Sequence, residues 1–156
     1  MLEEALALAR RGGDRLGTYT ALYFLAQIAL AQGDHVTATG MLKEGVALAA
    51  QVGPRGGLVY LFEELAAAAE ARGKAEHSAR LLGAAEGLIQ SVEGPLYKHH
   101  KPKRSLRPLD HIAAAARSRL GEEAFETAWA EGRVVTFEQA VAYALETDEA
   151  SPPTQP

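Results

Sequence analysis

The sequence repeats itself at an interval of forty residues, and a fixed interval of that size is the signature of stacked supersecondary units. Shifted by forty, Leu25 falls on Leu65, Ala26 on Ala66, Ala29 on Ala69, Gly33 on Gly73, Leu42 on Leu82, Leu48 on Leu88 and Val52 on Val92. The same offset run backward sets Met1 on Met41, Leu2 on Leu42, Glu4 on Glu44, Ala7 on Ala47, Leu8 on Leu48 and Gly13 on Gly53. Three copies therefore share one spacing without a gap. Chance matching of alanine-rich stretches does not account for glycines that align at both turns.

Each full copy reads as two helices. Residues 17–32 carry Leu22, Leu25, Ala26, Ala29 and Leu30 at helical spacing, and Gly33-Asp34 ends the run. Residues 35–52 resume it through Ala38, Met41, Leu42, Gly45, Val46 and Leu48, and Gly53-Pro54 stops it. The next copy repeats the arrangement as 57–72, a Gly73-Lys74 turn, and 75–92, closed by Gly94-Pro95. Ala26, Ala66, Ala38 and Ser78 are small where paired helices must approach closely. The first copy begins at its second helix. Leu2, Leu6 and Leu8 are then expected to present an apolar surface made to face an upstream helix, as in a C-terminal fragment that tends to self-associate.

Beyond residue 108 the periodicity changes. A helix from about Leu109 ends at Gly121, and Glu122-Glu123 open another, on which Phe125 and Trp129 share a face. Thr136-Phe137-Glu138-Gln139 has the pattern of a capping box, starting a last helix through Ala140, Val141, Ala144 and Leu145. The expected organisation is repeats over 1–96, a basic loop over 97–108, a helical cap over 109–147 and a disordered tail over 148–156.

Leu22, Leu25-Ala26, Gly33-Asp34, Ala38 and Leu42, with Phe62, Leu65-Ala66, Gly73, Ser78 and Leu82 in the next copy, resemble the tetratricopeptide repeat. The unit is six residues longer than the family's usual thirty-four, and Ala29 and Ala69 stand where the family has a tyrosine. Both departures are similar to the longer variant in MalT-type and LuxR-type bacterial regulators. Ala79 to Glu86, Leu120 to Phe125, Ala128 to Arg133 and Thr136 to Val141 resemble the end of the helical-repeat region of signal-transduction ATPases that carry a DNA-binding domain. The resemblance implies an all-α, right-handed tetratricopeptide-like superhelix with a C-terminal helical cap. It also implies a parent regulator whose ATPase lies upstream and in which a DNA-reading domain can follow the linker. By position it selects a concave partner-binding face of Thr20, Tyr23, Gln27, Tyr60, Glu63, Ala67 and Glu70. That face is expected to hold a protein, a peptide or another domain of the regulator.

Chemistry is sparse. With no cysteine, disulfides, thiolate zinc sites and thiol catalysis are excluded. No phosphate-binding loop, dinucleotide fingerprint, nucleophile elbow or zinc-protease helix occurs, so neither a catalytic residue nor a cofactor is expected. Glu63, Glu64 and Glu70 make a carboxylate pair conceivable, but acids on a helix more often form a solvated face. His99, His100 and His111 read as solvated rather than as metal ligands. Lys98, Lys101, Lys103, Arg104 and Arg107 form the one basic run, facing an acidic stretch from Glu122 to Glu149. It either balances those acids or contacts nucleic acid or an acidic partner, though only Tyr97 is at hand to stack on bases. A net charge of −4 supplies no general attraction to nucleic acid. No apolar stretch is long enough for a membrane span and no signal peptide opens the chain, so a soluble cytoplasmic protein is expected.

Overall fold

A computed structural model describes residues 1–52, 56–92 and 109–146. Among the described residues there are eight helices and no strand. They are α1 (Leu2–Gly12), α2 (Arg15–Ala31), α3 (His35–Val52), α4 (Gly56–Ala71), α5 (Ala75–Val92), α6 (Leu109–Leu120), α7 (Glu122–Arg133) and α8 (Phe137–Leu145). The expected helices all form, with bounds shifted by no more than two residues. α3 and α5 begin and end forty residues apart.

The turns show why the interval holds. Gly33 and Gly73 have φ of 82° and 77°, a left-handed conformation that costs glycine little and other residues more. At both, the next residue's amide reaches back across the turn: Asp34 N–H donates to Ala29 O and Lys74 N–H to Ala69 O, each at 2.9 Å. Asp14 N–H makes the same 2.9 Å bond to Ala9 O. Following helices open on side-chain caps where the sequence supplies an acid. Asp14 accepts from the Gly17 amide at 2.9 Å and Asp34 from the Thr37 amide at 3.2 Å. Hydrogen bonds from Thr37 hold the Asp34 carboxyl below its ordinary pKa. Gly53 and Gly94, the other expected breaks, lie outside the described residues.

Small side chains do let the helices approach. Ala26, Ala38, Ala66 and Ser78 are fully buried, and the Ser78 hydroxyl donates to the Ala66 carbonyl at 2.8 Å. The main core joins α2, α3, α4, α5 and α8, with Phe62, Leu42, Leu58, Leu61 and Leu81 wholly inside it. Consecutive helices from α1 to α5 pack one on the next. The last three then turn back: α6 lies on α4 and α5, α7 on α5, and α8 on α3 and α5. Thr136 and Gln139 form the expected reciprocal capping box, with bonds of 2.9 and 3.1 Å, that starts α8. Phe125 and Trp129 do share a face, packed with Ala75, Ala79 and Ala116 into a second cluster.

One expectation needs correction. Leu6 is buried against Ala21, Leu22 and Leu25 of α2, so it does not belong to an apolar surface awaiting an upstream helix; of the three, Leu2 is half-buried and Leu8 exposed. A helix of this repeat has two apolar lines, and Leu6 lies on the one that meets the following helix.

Candidate interaction surface

α2 and α4 meet along three matched positions. Tyr19, Tyr23 and Gln27 follow one another at intervals of four on α2, opposite Gly57, Tyr60 and Glu64 of α4. A Cβ on Gly57 would lie 2.9 Å from the Tyr19 hydroxyl, so the glycine is what admits the ring. Tyr23 and Tyr60 meet edge to face with centroids 6.3 Å apart, and Tyr23 makes a second such contact with Phe24 at 5.3 Å. Gln27 Nε2 donates to Tyr23 OH and to Glu64 Oε1, both at 3.1 Å. Tyr23, Gln27 and Tyr60 are half-buried, leaving a ledge with aromatic faces and an oriented amide. Thr20 is exposed beside it, its hydroxyl turned back onto the Leu16 carbonyl at 2.8 Å.

The rest of the face drawn from sequence lies deeper. Glu63, Ala67 and Glu70 are buried, as is Glu64. The reading of Glu63, Glu64 and Glu70 as a solvated acidic face is therefore wrong. α6 folds across α4, and Arg119 Nε donates to Glu70 Oε1 at 2.7 Å. Nothing in the local sequence marks this pairing, because its partners are forty-nine residues apart. Glu63 borders a cavity of about 250 Å³ between α4, α5, α6 and α7, whose wall also includes Glu86, Asp110, Arg117 and Trp129. Replacing Arg119, itself more than half exposed, by alanine leaves the buried Glu70 carboxylate without its ion-pair partner and with only water in that place. The expected loss is about 1–3 kcal/mol, read from urea denaturation, with Arg119→Lys recovering part of it.

A second polar cluster joins α5, α7 and α8, and the local sequence gives no sign of it. Arg80 binds Glu76 at 2.7 Å and Glu131 at 2.8 Å. The Tyr143 hydroxyl lies 2.7 Å from His77 Nδ1, with the two rings 4.7 Å apart. Partial burial by itself would lower the Arg80 pKa, but hydrogen bonds to Glu131 and Tyr143 and the charge of Glu76 outweigh it and raise it. Burial pushes the Tyr143 phenol up, against the opposing pull of Arg80. This arrangement ties α8 to α5 and α7. Among the described residues no three His, Cys, Asp or Glu side chains gather to hold a metal ion. His111 is exposed. His99 and His100, and the basic run of Lys98, Lys101, Lys103, Arg104 and Arg107, lie outside the described residues. No helix among those described is long and apolar enough to cross a membrane.

Comparison with known proteins finds similarity to three much longer chains. Three proteins provisionally named HTH-type transcriptional regulators, one from Mycobacterium bovis and two from strains of Mycobacterium tuberculosis, are each 31% identical to the chain over 124 residues. The similarity takes in 80% of the chain but only 14% of each relative, so the chain spans a small part of the length of the proteins it matches. No family profile matches the sequence, and no solved structure matches it.

Proposed function

We propose that the chain is a non-catalytic regulatory scaffold, a tetratricopeptide-like right-handed superhelix closed by a helical cap. It works in the cytoplasm as part of a LuxR- or MalT-type regulator with an ATPase upstream. The observation that carries this reading is the similarity, over most of the chain, to helix-turn-helix regulators far longer than the chain itself. The forty-residue register and its repeated glycine turns support the repeat assignment.

The working surface is the concave face, where Thr20, Tyr23, Gln27 and Tyr60 make contact and Glu63, Ala67 and Glu70 hold the floor beneath them. Tyrosines contribute large contact area with few rotors to freeze, and the Gln27 amide supplies direction. A protein segment, or a neighbouring domain of the same regulator, binds this face more tightly in one state of the regulator than in the other. That difference in affinity is what moves a switch.

The experiment replaces the chromosomal gene, keeping whatever flanks it. Transcript profiles are compared for the wild type, a deletion, and a strain carrying Tyr23→Ala with Tyr60→Ala. Deletion is expected to change a defined set of transcripts, and the double variant to reproduce that change at wild-type protein level. A deletion strain with an unaltered transcript profile overturns the regulatory reading. A double variant that behaves as wild type removes the tyrosine face from it.

A further inference from the structure

A cavity of about 450 Å³ lies between α5 and the corner made by α7 and α8, and it shares no residue with the tyrosine ledge. Its apolar wall is built from small side chains: Ala84 of α5, Gly132 of α7, Ala140 and Ala142 of α8, and Val135 from the turn between them. Gly132 lets α7 come down on the Arg80 backbone, and α8 then passes beside the same stretch of α5. Alanines at this crossing leave open a space that longer side chains would fill. A smaller space of about 60 Å³ continues along α5 from the same Ala84, Val135 and Ala140 toward Leu88. Empty volume inside a fold costs stability, so a cavity of this size between packed helices is a place for a ligand.

The polar groups on its border are fixed before any ligand arrives. Gln139 Oε1 accepts the Thr136 amide at 2.9 Å in the capping box, so its NH2 is what it has to offer the cavity. Arg80 gives Nε and Nη2 to Glu131 and Nη2 to Glu76 as well, which holds its guanidinium in one plane. The Tyr143 hydroxyl accepts from Arg80 and lies 2.7 Å from His77 Nδ1. What Gln139 and Arg80 present is therefore N–H, and N–H calls for a carbonyl oxygen. Charges of both signs border the space, Arg80 against Glu131 and Glu146. An anion meets the carboxylates and a cation meets the guanidinium; an uncharged molecule meets neither penalty.

We infer that this cavity binds a small uncharged molecule with an apolar body and a carbonyl group. The body fills the alanine-lined space, and the carbonyl oxygen accepts from the Gln139 NH2. Seated between α5, α7 and α8, it fastens the last two helices to α5. The binding needs no transcriptional target, so it stands or falls apart from the regulatory reading.

NMR titration of the isotope-labelled full chain with phenylacetamide, phenylacetate and phenethylammonium tests it. The three probes share a phenyl body and differ in charge. Phenylacetamide is expected to bind saturably and to shift the Gln139 side-chain NH2 and the backbone amides of Ala140 and Tyr143. The two ions should bind more weakly by about tenfold or more. Gln139→Glu keeps an oxygen for the Thr136 amide, so the capping box persists, but it exchanges the NH2 donor for a carboxylate. It is expected to weaken phenylacetamide by about tenfold or more, with unchanged helical circular dichroism. Ala142 is exposed, so Ala142→Phe sets a ring at the cavity without entering the core, and binding should be lost. No saturable binding of phenylacetamide to the full chain overturns the proposal. So does binding that either variant leaves unchanged, or a phenylacetate affinity equal to that of the amide.

Discussion

Gly83→Ala and Gly132→Ala are each expected to lower stability by about 3 kcal/mol and to loosen α7 from α5. The two helices touch backbone to backbone here. A Cβ on Gly83 would collide with the Trp129 carbonyl oxygen and lie 2.9 Å from its carbon and 3.1 Å from the Arg133 nitrogen. One turn along α5, a Cβ on Gly87 would come within 2.5 Å of the Arg133 carbonyl oxygen. From the opposite side, a Cβ on Gly132 would strike the Arg80 carbonyl oxygen, 2.9 Å from its carbon. A flexible side chain swings aside at small cost, whereas a carbonyl held in a helix moves only with the helix. The methyl group therefore separates α5 from α7 and with it disturbs the Arg80–Glu131 pair and the Phe125 cluster. Gly12→Ala is the control: no atom lies within 4 Å of the added methyl, and helical alanine is favoured over glycine by about 0.5–1 kcal/mol. Opposite signs in urea denaturation for the two kinds of Gly→Ala change are the result to look for. A neutral Gly132→Ala would mean that the helices are not in backbone contact.

Phe62→Ala should cost more, about 3–5 kcal/mol. Phe62 is the largest side chain in the structure with no exposed surface, and it sits on α4 in the core shared by α2, α3, α5 and α8. Removing the ring takes apolar area out of the core and leaves a cavity that the five helices packed around it cannot readily close. Phe62→Leu, which keeps most of the volume, is expected to lose roughly 1 kcal/mol. The midpoint of urea unfolding should move while its slope stays constant, the mark of lost stability with an unaltered unfolding reaction. A Phe62→Ala chain with an unmoved midpoint would show that the ring is not enclosed.

These two sites differ in how far they could be read beforehand. Phe62 stands in the repeat at the counterpart of Leu22, itself fully buried, so its place in the core follows from the interval alone. The glycine contact does not. Gly83 and Gly132 are separated by α6 and by the segment before it, and neither lies at a turn. A glycine inside a helix reads only as a local cost in helix propensity until its neighbour is known. The acids of α4 are a parallel case. Glu63, Glu64 and Glu70 carry the same pattern as any solvated helical stripe, and α6, with Arg119, is what buries them.

Helix positions, the turns at Gly33 and Gly73, the Thr136–Gln139 cap and the small residues at helix crossings were settled by the sequence alone. Each depends on residues within a turn or two of one another, or on a strict interval, and such forces act wherever the chain goes. Which acids lose their water, which glycines admit a second backbone, and how Tyr143 comes to lie against His77 and Arg80 were decided by the tertiary structure. Those outcomes depend on α6, α7 and α8 turning back onto α3, α4 and α5. Burial and contact across dozens of residues arise only once two distant segments share the same space, and no local pattern encodes which two will meet.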